Sequence, residues 1–126
     1  MVVFAPNWLG DAVMSLPLID DVRRQWPSAR LTVAARAAVA PLYAMTPSVD
    51  AVVQLRGGGG GRALQSVGEN AATLRNERFD TALLLPNSFV TAWTAKRAGI
   101  PERWGYRADA RGHLLTRAIA RPRTVV

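Results

Sequence analysis

The sequence contains no cysteine, one histidine and a single lysine. Without cysteine there is no disulfide scaffold, no thiolate metal site and no cysteine nucleophile. That composition suits a cytoplasmic protein. The one histidine, His113, has no carboxylate or serine pattern around it from which a triad or metal site could be built, and reads as a surface or packing residue. Long apolar runs are also missing. None approaches the roughly eighteen residues that a membrane span needs, and the apolar start at residues 1–5 is closed by Pro6 too early for a signal peptide. The six aspartates never fall two apart, so there is no Asp-x-Asp metal pair; Asp20 and Asp21 are adjacent within a helical pattern, where neighbouring side chains diverge by about 100°. No metal site is expected.

Two phosphate-binding signatures are absent as well. A dinucleotide-binding loop needs G-x-G-x-x-G after the first strand, but this chain has APNWLGD, with only Gly10. The five glycines at 57–61 are not followed by Lys-Ser or Lys-Thr, so they do not make a P-loop. They read as a plain flexible connection.

What remains is a 126-residue chain with 49% apolar residues, enough for one domain with one core. Its net charge of +7 is unevenly distributed. Residues 1–95 carry eight Arg against seven acidic residues, while residues 96–126 carry Lys96 and seven Arg against Glu102 and Asp109. Arg-rich composition accounts for the choice of Arg over Lys. It leaves the crowding at one end unexplained, and such crowding points to an anionic partner: a phosphate, a nucleic acid or an acidic membrane surface.

Strand and helix patterns alternate along the chain. Strands are expected at residues 1–5, 31–35, 51–55, 81–85 and 103–106. Helical patterns cover the stretch after Asp11 to Trp26, then 37–45, 62–77 and 89–98, with a further helical stretch around 113–119. In the first helix Ser15, Leu18, Ile19, Val22 and Trp26 share one face, and Pro17 makes its opening turns irregular. Trp26, Trp93 and Trp104 suit the core, whereas Trp8 lies in a loop where it could stack on a sugar or form a wall. Asn87 and Ser88 can cap the helix at 89–98, and Gly99 can stop it. The pattern is that of a Rossmann-like α/β fold, a parallel sheet with helices on both faces. Ligands in such folds sit beyond the carboxyl ends of the strands. The loops at residues 6–11, 57–61 and 86–88 therefore qualify as site loops. From pattern alone, Asp11 is either a helix cap or a functional carboxylate beside a helix N-terminus, and Asn87 and Ser88 are equally open between capping and binding.

The stretches APNWLGDAVMSLPLI and LLLPNSFVTAWTAKRAGIPERWGYRADAR resemble the family 9 glycosyltransferases, in particular their type II lipopolysaccharide heptosyltransferase branch, and the spacing between the two stretches fits as well. The resemblance implies that residues 1–126 form the N-terminal, acceptor-binding domain of a GT-B enzyme whose donor-binding C-terminal domain lies outside this chain. It implies inverting, metal-independent transfer of heptose from ADP-L-glycero-D-manno-heptose to the inner core of lipopolysaccharide, with no cofactor other than that nucleotide sugar. On the same basis Asp11 would be the general base, Trp8 and Gly10 would belong to its loop, Asn87 and Ser88 would line the acceptor cleft, and Arg107 would face acidic groups of the acceptor. The chain alone is expected to be inactive, cytoplasmic, and in peripheral contact with the anionic inner membrane. The glycine run belongs to no motif of the family. Two other readings stay open: a family 9 enzyme with another acceptor or nucleotide sugar, and a basic α/β nucleic-acid-binding module. The second lacks an aromatic base-stacking platform and any helix-turn-helix, so no nucleic acid is expected.

Overall fold

The computed structural model describes residues 1–57, 63–86, 89–106, 115 and 117–119. The elements follow in the order β1 (Val2–Phe4), α1 (Leu9–Met14), α2 (Leu16–Gln25), β2 (Thr32–Arg36), α3 (Ala40–Ala44), β3 (Ala51–Leu55), α4 (Ala63–Glu77), β4 (Thr81–Leu84), α5 (Phe89–Arg97), β5 (Glu102–Tyr106) and β6 (Arg117–Ile119). The six strands form one sheet in the order β3-β2-β1-β4-β5-β6, and every pairing is parallel. The chain builds outward from β1 to β3, crosses back to β4 beside β1, and builds outward again. This is the Rossmann strand order, with its topological switch point between β1 and β4.

β1 occupies the centre because its residues are apolar on both faces. Val2 and Phe4 join a cluster with Ala71 and Leu74 of α4 and Ala92 and Ala95 of α5. Val3 and Ala5 join the opposite cluster with Ala12 of α1, Ile19 and Val22 of α2, and Tyr43 of α3. Helices therefore cover both faces, as expected from the sequence, with α1–α3 on one side and α4–α5 on the other. In α4 the inward positions Val67, Asn70, Ala71 and Leu74 recur at helical spacing. β3, at the sheet edge, is only partly buried.

The first helical stretch is broken in two. Proline lacks an amide hydrogen and its ring crowds the carbonyl four residues earlier, so Pro17 cannot continue α1 and sits instead in the first turn of α2. Ser15 is the hinge between the two helices. Its N–H donates to the Asp11 carbonyl at 3.0 Å, and its own carbonyl accepts from Ile19 N–H at 3.0 Å. Ser15, Ile19 and Val22 face inward as expected, but Leu18 and Trp26 are 40% and 41% exposed. Leu18 is about 100° around the helix from Ile19. Trp26 leaves the helical path as its C-cap, and its ring lies 6.0 Å from that of Trp104. Trp93 and Trp104 are likewise only partly buried. The expected core tryptophans thus border the core, and the interior is filled chiefly by Val, Ala, Leu and Ile with Phe4 and Tyr43.

Two further expectations are corrected. The helix expected at 37–45 is confined to Ala40–Ala44. The helix expected around 113–119 is a strand at Arg117–Ile119, where Trp104, Gly105 and Tyr106 pair with Arg117, Ala118 and Ile119. The unpaired edge of β5 offers backbone hydrogen bonds that outweigh a weak helical pattern.

Two local devices fix the layout. At the end of α5, Gly99 has φ +77°, its N–H donates to the Lys96 carbonyl at 3.0 Å, and Ile100 N–H donates to the Ala95 carbonyl at 3.4 Å. This is a Schellman stop, for which glycine is favoured. At the other end of the sheet, Asp50 accepts from Leu31 N–H at 2.7 Å and from the Arg23 guanidinium at 2.6 Å. Arg23 also donates to the carbonyls of Ser48 and Ala29. The Leu31 amide first, and Arg23 second, hold the Asp50 carboxyl below its ordinary value.

Two outcomes follow. Gly99→Ala should lower the unfolding free energy measured in urea by about 1–2 kcal/mol; nothing lies within 4 Å of the added methyl, so the cost is purely conformational. Because the folded pKa of Asp50 is depressed, its contribution is complete above the unfolded value of about 3.9 and is lost as pH falls through the folded value. Acid titration followed by circular dichroism should therefore show a shallower loss of stability below about pH 4 in Asp50→Asn than in the native chain.

Candidate active site

The switch point brings two of the three expected loops together. Beyond β1, Ala5 N–H donates to the Ala34 carbonyl at 2.9 Å, and the Phe4 carbonyl accepts from Leu85 N–H at 3.2 Å. The chain after β1 and the chain after β4 therefore leave the sheet side by side, and Asn7 and Pro86 line one cavity of about 230 Å³. Asn87, Ser88 and Arg107 lie outside the described residues, as do residues 58–61 of the glycine run.

The β1 loop closes into α1 at Trp8, which is the N-cap residue, and Ala12 N–H donates to the Trp8 carbonyl at 2.9 Å. No side chain caps this helix. Asp11 stands within its first turn, one position after Gly10, with its carboxylate exposed. Among the described residues that carboxylate has no hydrogen-bond or ion-pair partner. The capping role is thus not what this side chain performs. Trp8, Leu9 and Met14 around it are 75%, 61% and 79% exposed. Gly10 has no positive φ, and a methyl group added there would meet nothing within 4 Å. The folded chain does not itself require glycine at this position.

Two arginines that the sequence reading did not single out complete the carboxyl end of the sheet. Arg36 ends β2, and Arg56 follows β3; both line the 230 Å³ cavity and a neighbouring recess of about 520 Å³. Among the described residues the Arg36 side chain has no hydrogen-bonding or ionic partner. It lies against Gly57, where a Cβ would sit 3.0 Å from its Nε. Arg56 is held through its backbone: the buried Asn70 side chain accepts from Arg56 N–H and donates to the Arg56 carbonyl, each at 2.9 Å. Its guanidinium reaches Glu69 at 3.3 Å in an exposed pair. The clue was available, since both arginines directly follow strand patterns at the ligand-binding end of the fold. By contrast, Asp20 and Asp21 are engaged elsewhere, with Ser48 and Arg24.

The fold and this carboxylate-and-arginine end define a Rossmann-like α/β domain with an open site at the carboxyl ends of its strands. The sequence profile of glycosyltransferase family 9 (heptosyltransferase) matches residues 68–124. Lipopolysaccharide heptosyltransferase 2 of Escherichia coli (strain K12) is 35% identical over 115 residues, covering 91% of this chain and 33% of that protein. Lipooligosaccharide heptosyltransferase 2 of Haemophilus ducreyi is 33% identical over 115 residues, with the same coverage of 91% and 33%. Among solved structures, E. coli ADP-heptose lps heptosyltransferase II superposes with a TM-score of 0.75 at 34% identity, over 90% of this chain and 32% of that one. A family 9 glycosyl transferase from Veillonella parvula DSM 2008 shares the fold, with a TM-score of 0.80 at 17% identity, over 94% of this chain and 35% of that one. Residues 68–124 thus match glycosyltransferase family 9, and the chain spans about a third of the length of the curated relatives to which it is similar.

Glycine at a helix position costs about 0.8–1 kcal/mol relative to alanine. With open space around it, Gly10→Ala should leave the fold equally stable or more stable by up to about 1 kcal/mol in urea unfolding. A clear loss of stability would show that the fold, rather than an incoming molecule, requires this glycine.

Proposed function

We propose that this chain is the acceptor-binding half of an inverting, metal-independent heptosyltransferase that uses ADP-L-glycero-D-manno-heptose to extend the inner core of lipopolysaccharide. The observation that carries the reading is the Asp11 carboxylate, without a partner among the described residues, in the first turn of α1 at the switch point of the sheet. The similarity to heptosyltransferases 2 over nine-tenths of the chain supports the choice of donor and acceptor.

In this reading Asp11 takes the proton from an acceptor hydroxyl. The oxygen forms its bond to the anomeric carbon while the bond from that carbon to ADP breaks on the opposite face, so the configuration inverts. The missing Cβ of Gly10 leaves room for the sugar beside the carboxylate. Arg36 and Arg56 meet anionic groups of the acceptor at the cleft wall, as does Arg107, through charge-assisted hydrogen bonds. Trp8 and Leu9 are exposed because they face the substrate and an opposing, donor-binding domain. That domain neutralises the departing nucleotide with helix N-termini and basic side chains. The 126-residue chain alone therefore does not turn over the donor. The basic terminal quarter adds peripheral contact with the anionic membrane that presents the acceptor. A family 9 enzyme acting on another acceptor would use the same base and the same loop.

In the full-length enzyme, Asp11→Asn should lower kcat by about 10²–10⁴-fold, the usual contribution of a general base, with KM nearly unchanged because the lost interaction belongs to the transition state. Asparagine preserves the helix position and the side chain's size. Near-normal turnover in a well-folded Asp11→Asn protein would remove Asp11 from the mechanism.

A further inference from the structure

We propose that Tyr43 and Ser15 are positioning residues for Asp11, forming a buried hydroxyl relay that ties the site helix to α3 on the same face of the sheet. The proposal rests on the reading of Asp11 as the base and goes beyond it by naming what holds that base in place.

The geometry is specific. α1 has only six residues, too few to hold its own orientation by helix hydrogen bonds alone. It is anchored through Ala12, which is fully buried. The Ala12 carbonyl directly follows Asp11 in the chain. It accepts from Ser15 Oγ at 2.6 Å and from Ser15 N–H at 3.1 Å, and the Tyr43 hydroxyl oxygen lies 3.4 Å away. Ser15 Oγ and the Tyr43 hydroxyl are 2.8 Å apart. With the Ser15 hydrogen directed at Ala12, the Tyr43 hydroxyl is the donor to Ser15. Tyr43 is fully buried, and among the described residues its hydroxyl meets only these two groups.

Tyr43 thus brings its polar group across the apolar layer to the one point where α1 would otherwise be free to pivot. The cluster around Tyr43 is otherwise built of aliphatic side chains and alanine, and phenylalanine would fill the same volume. A hydroxyl here costs desolvation and gains little net stability; what it adds is direction. The break enforced by Pro17 leaves α1 hinged at Ser15, and the relay sets the angle of that hinge. A displacement of about 1 Å at a reacting group can cost about 10²-fold in rate, so a modest pivot of α1 is sufficient to matter.

The test is Tyr43→Phe in the full-length enzyme, with Ser15→Ala as a second variant and Asp11→Asn alongside. Tyr43→Phe retains the ring and its packing, and should lower kcat about tenfold while leaving KM for the nucleotide sugar unchanged. The acid limb of the kcat–pH profile should persist at a lower plateau, because the base is still present. Amide exchange at Ser15 should become faster. Wild-type kcat in folded Tyr43→Phe, with Asp11→Asn inactive, would overturn the positioning role alone. A fall in apparent kcat matched by a fall in the folded fraction would assign Tyr43 to stability only and overturn it equally. Full turnover in Asp11→Asn would instead remove the base reading, and this proposal with it.

Discussion

Everything in this domain depends on β1, a three-residue strand buried on both faces and hydrogen-bonded on both edges. Its carboxyl end is held from two sides, by β2 and by the chain after β4. That arrangement makes the switch point rigid at the place where a loop must leave the sheet. The site is built outward from this point: a loop, a very short helix, and a carboxylate with no partner within the described chain. A parallel sheet with helices on both faces gives this position for reasons of topology, before any chemistry is considered.

The alternation of elements, the parallel sheet and the location of the site loops were legible in the sequence, because buried strands such as Val2–Phe4 and Thr81–Leu84 are short apolar runs bounded by turn residues. Asp11 was legible as a candidate, although pattern alone left the cap open; the geometry removes that role, since Trp8 is the N-cap residue. Other features were hidden because they depend on partners distant in sequence. The strand at Arg117–Ile119 exists because β5 has an edge to satisfy. The tryptophans were assigned to the core by their hydropathy, yet Trp26 and Trp104 meet each other at its border. Arg36 and Arg56 were passed over as ordinary residues flanking strands, and only the pairing of β2 with β3 brings them to the same cavities. Tyr43 carried no signal at all. Its role depends on a hydroxyl contact across 28 residues of sequence.

The two ends of the sheet show how the same residue type serves different purposes. Arg23 is consumed by structure, bonded to Asp50 and to loop carbonyls that join α2 to the start of β2 and β3. Arg36 has no such partner and rests on the backbone at Gly57. Arg56 is intermediate, its main chain clamped by Asn70 and its guanidinium exposed toward Glu69. The distinction between structural and available cations follows from which end of the strands they occupy. The amino ends are tied down by side chains, and the carboxyl ends are left for an incoming molecule.

The strict alternation of β1 carries a further consequence for how the chain finds its native pairing. Phe4 belongs to the layer under α4 and α5, whereas its neighbour Ala5 belongs to the layer under α1–α3, where Tyr43 already fills the space. A slip of one residue would exchange the two, driving a phenyl ring into the crowded layer and leaving a void in the other. Both errors are expensive, and they occur together. The unequal sizes of two adjacent side chains thus act as a proofreading gauge for strand register.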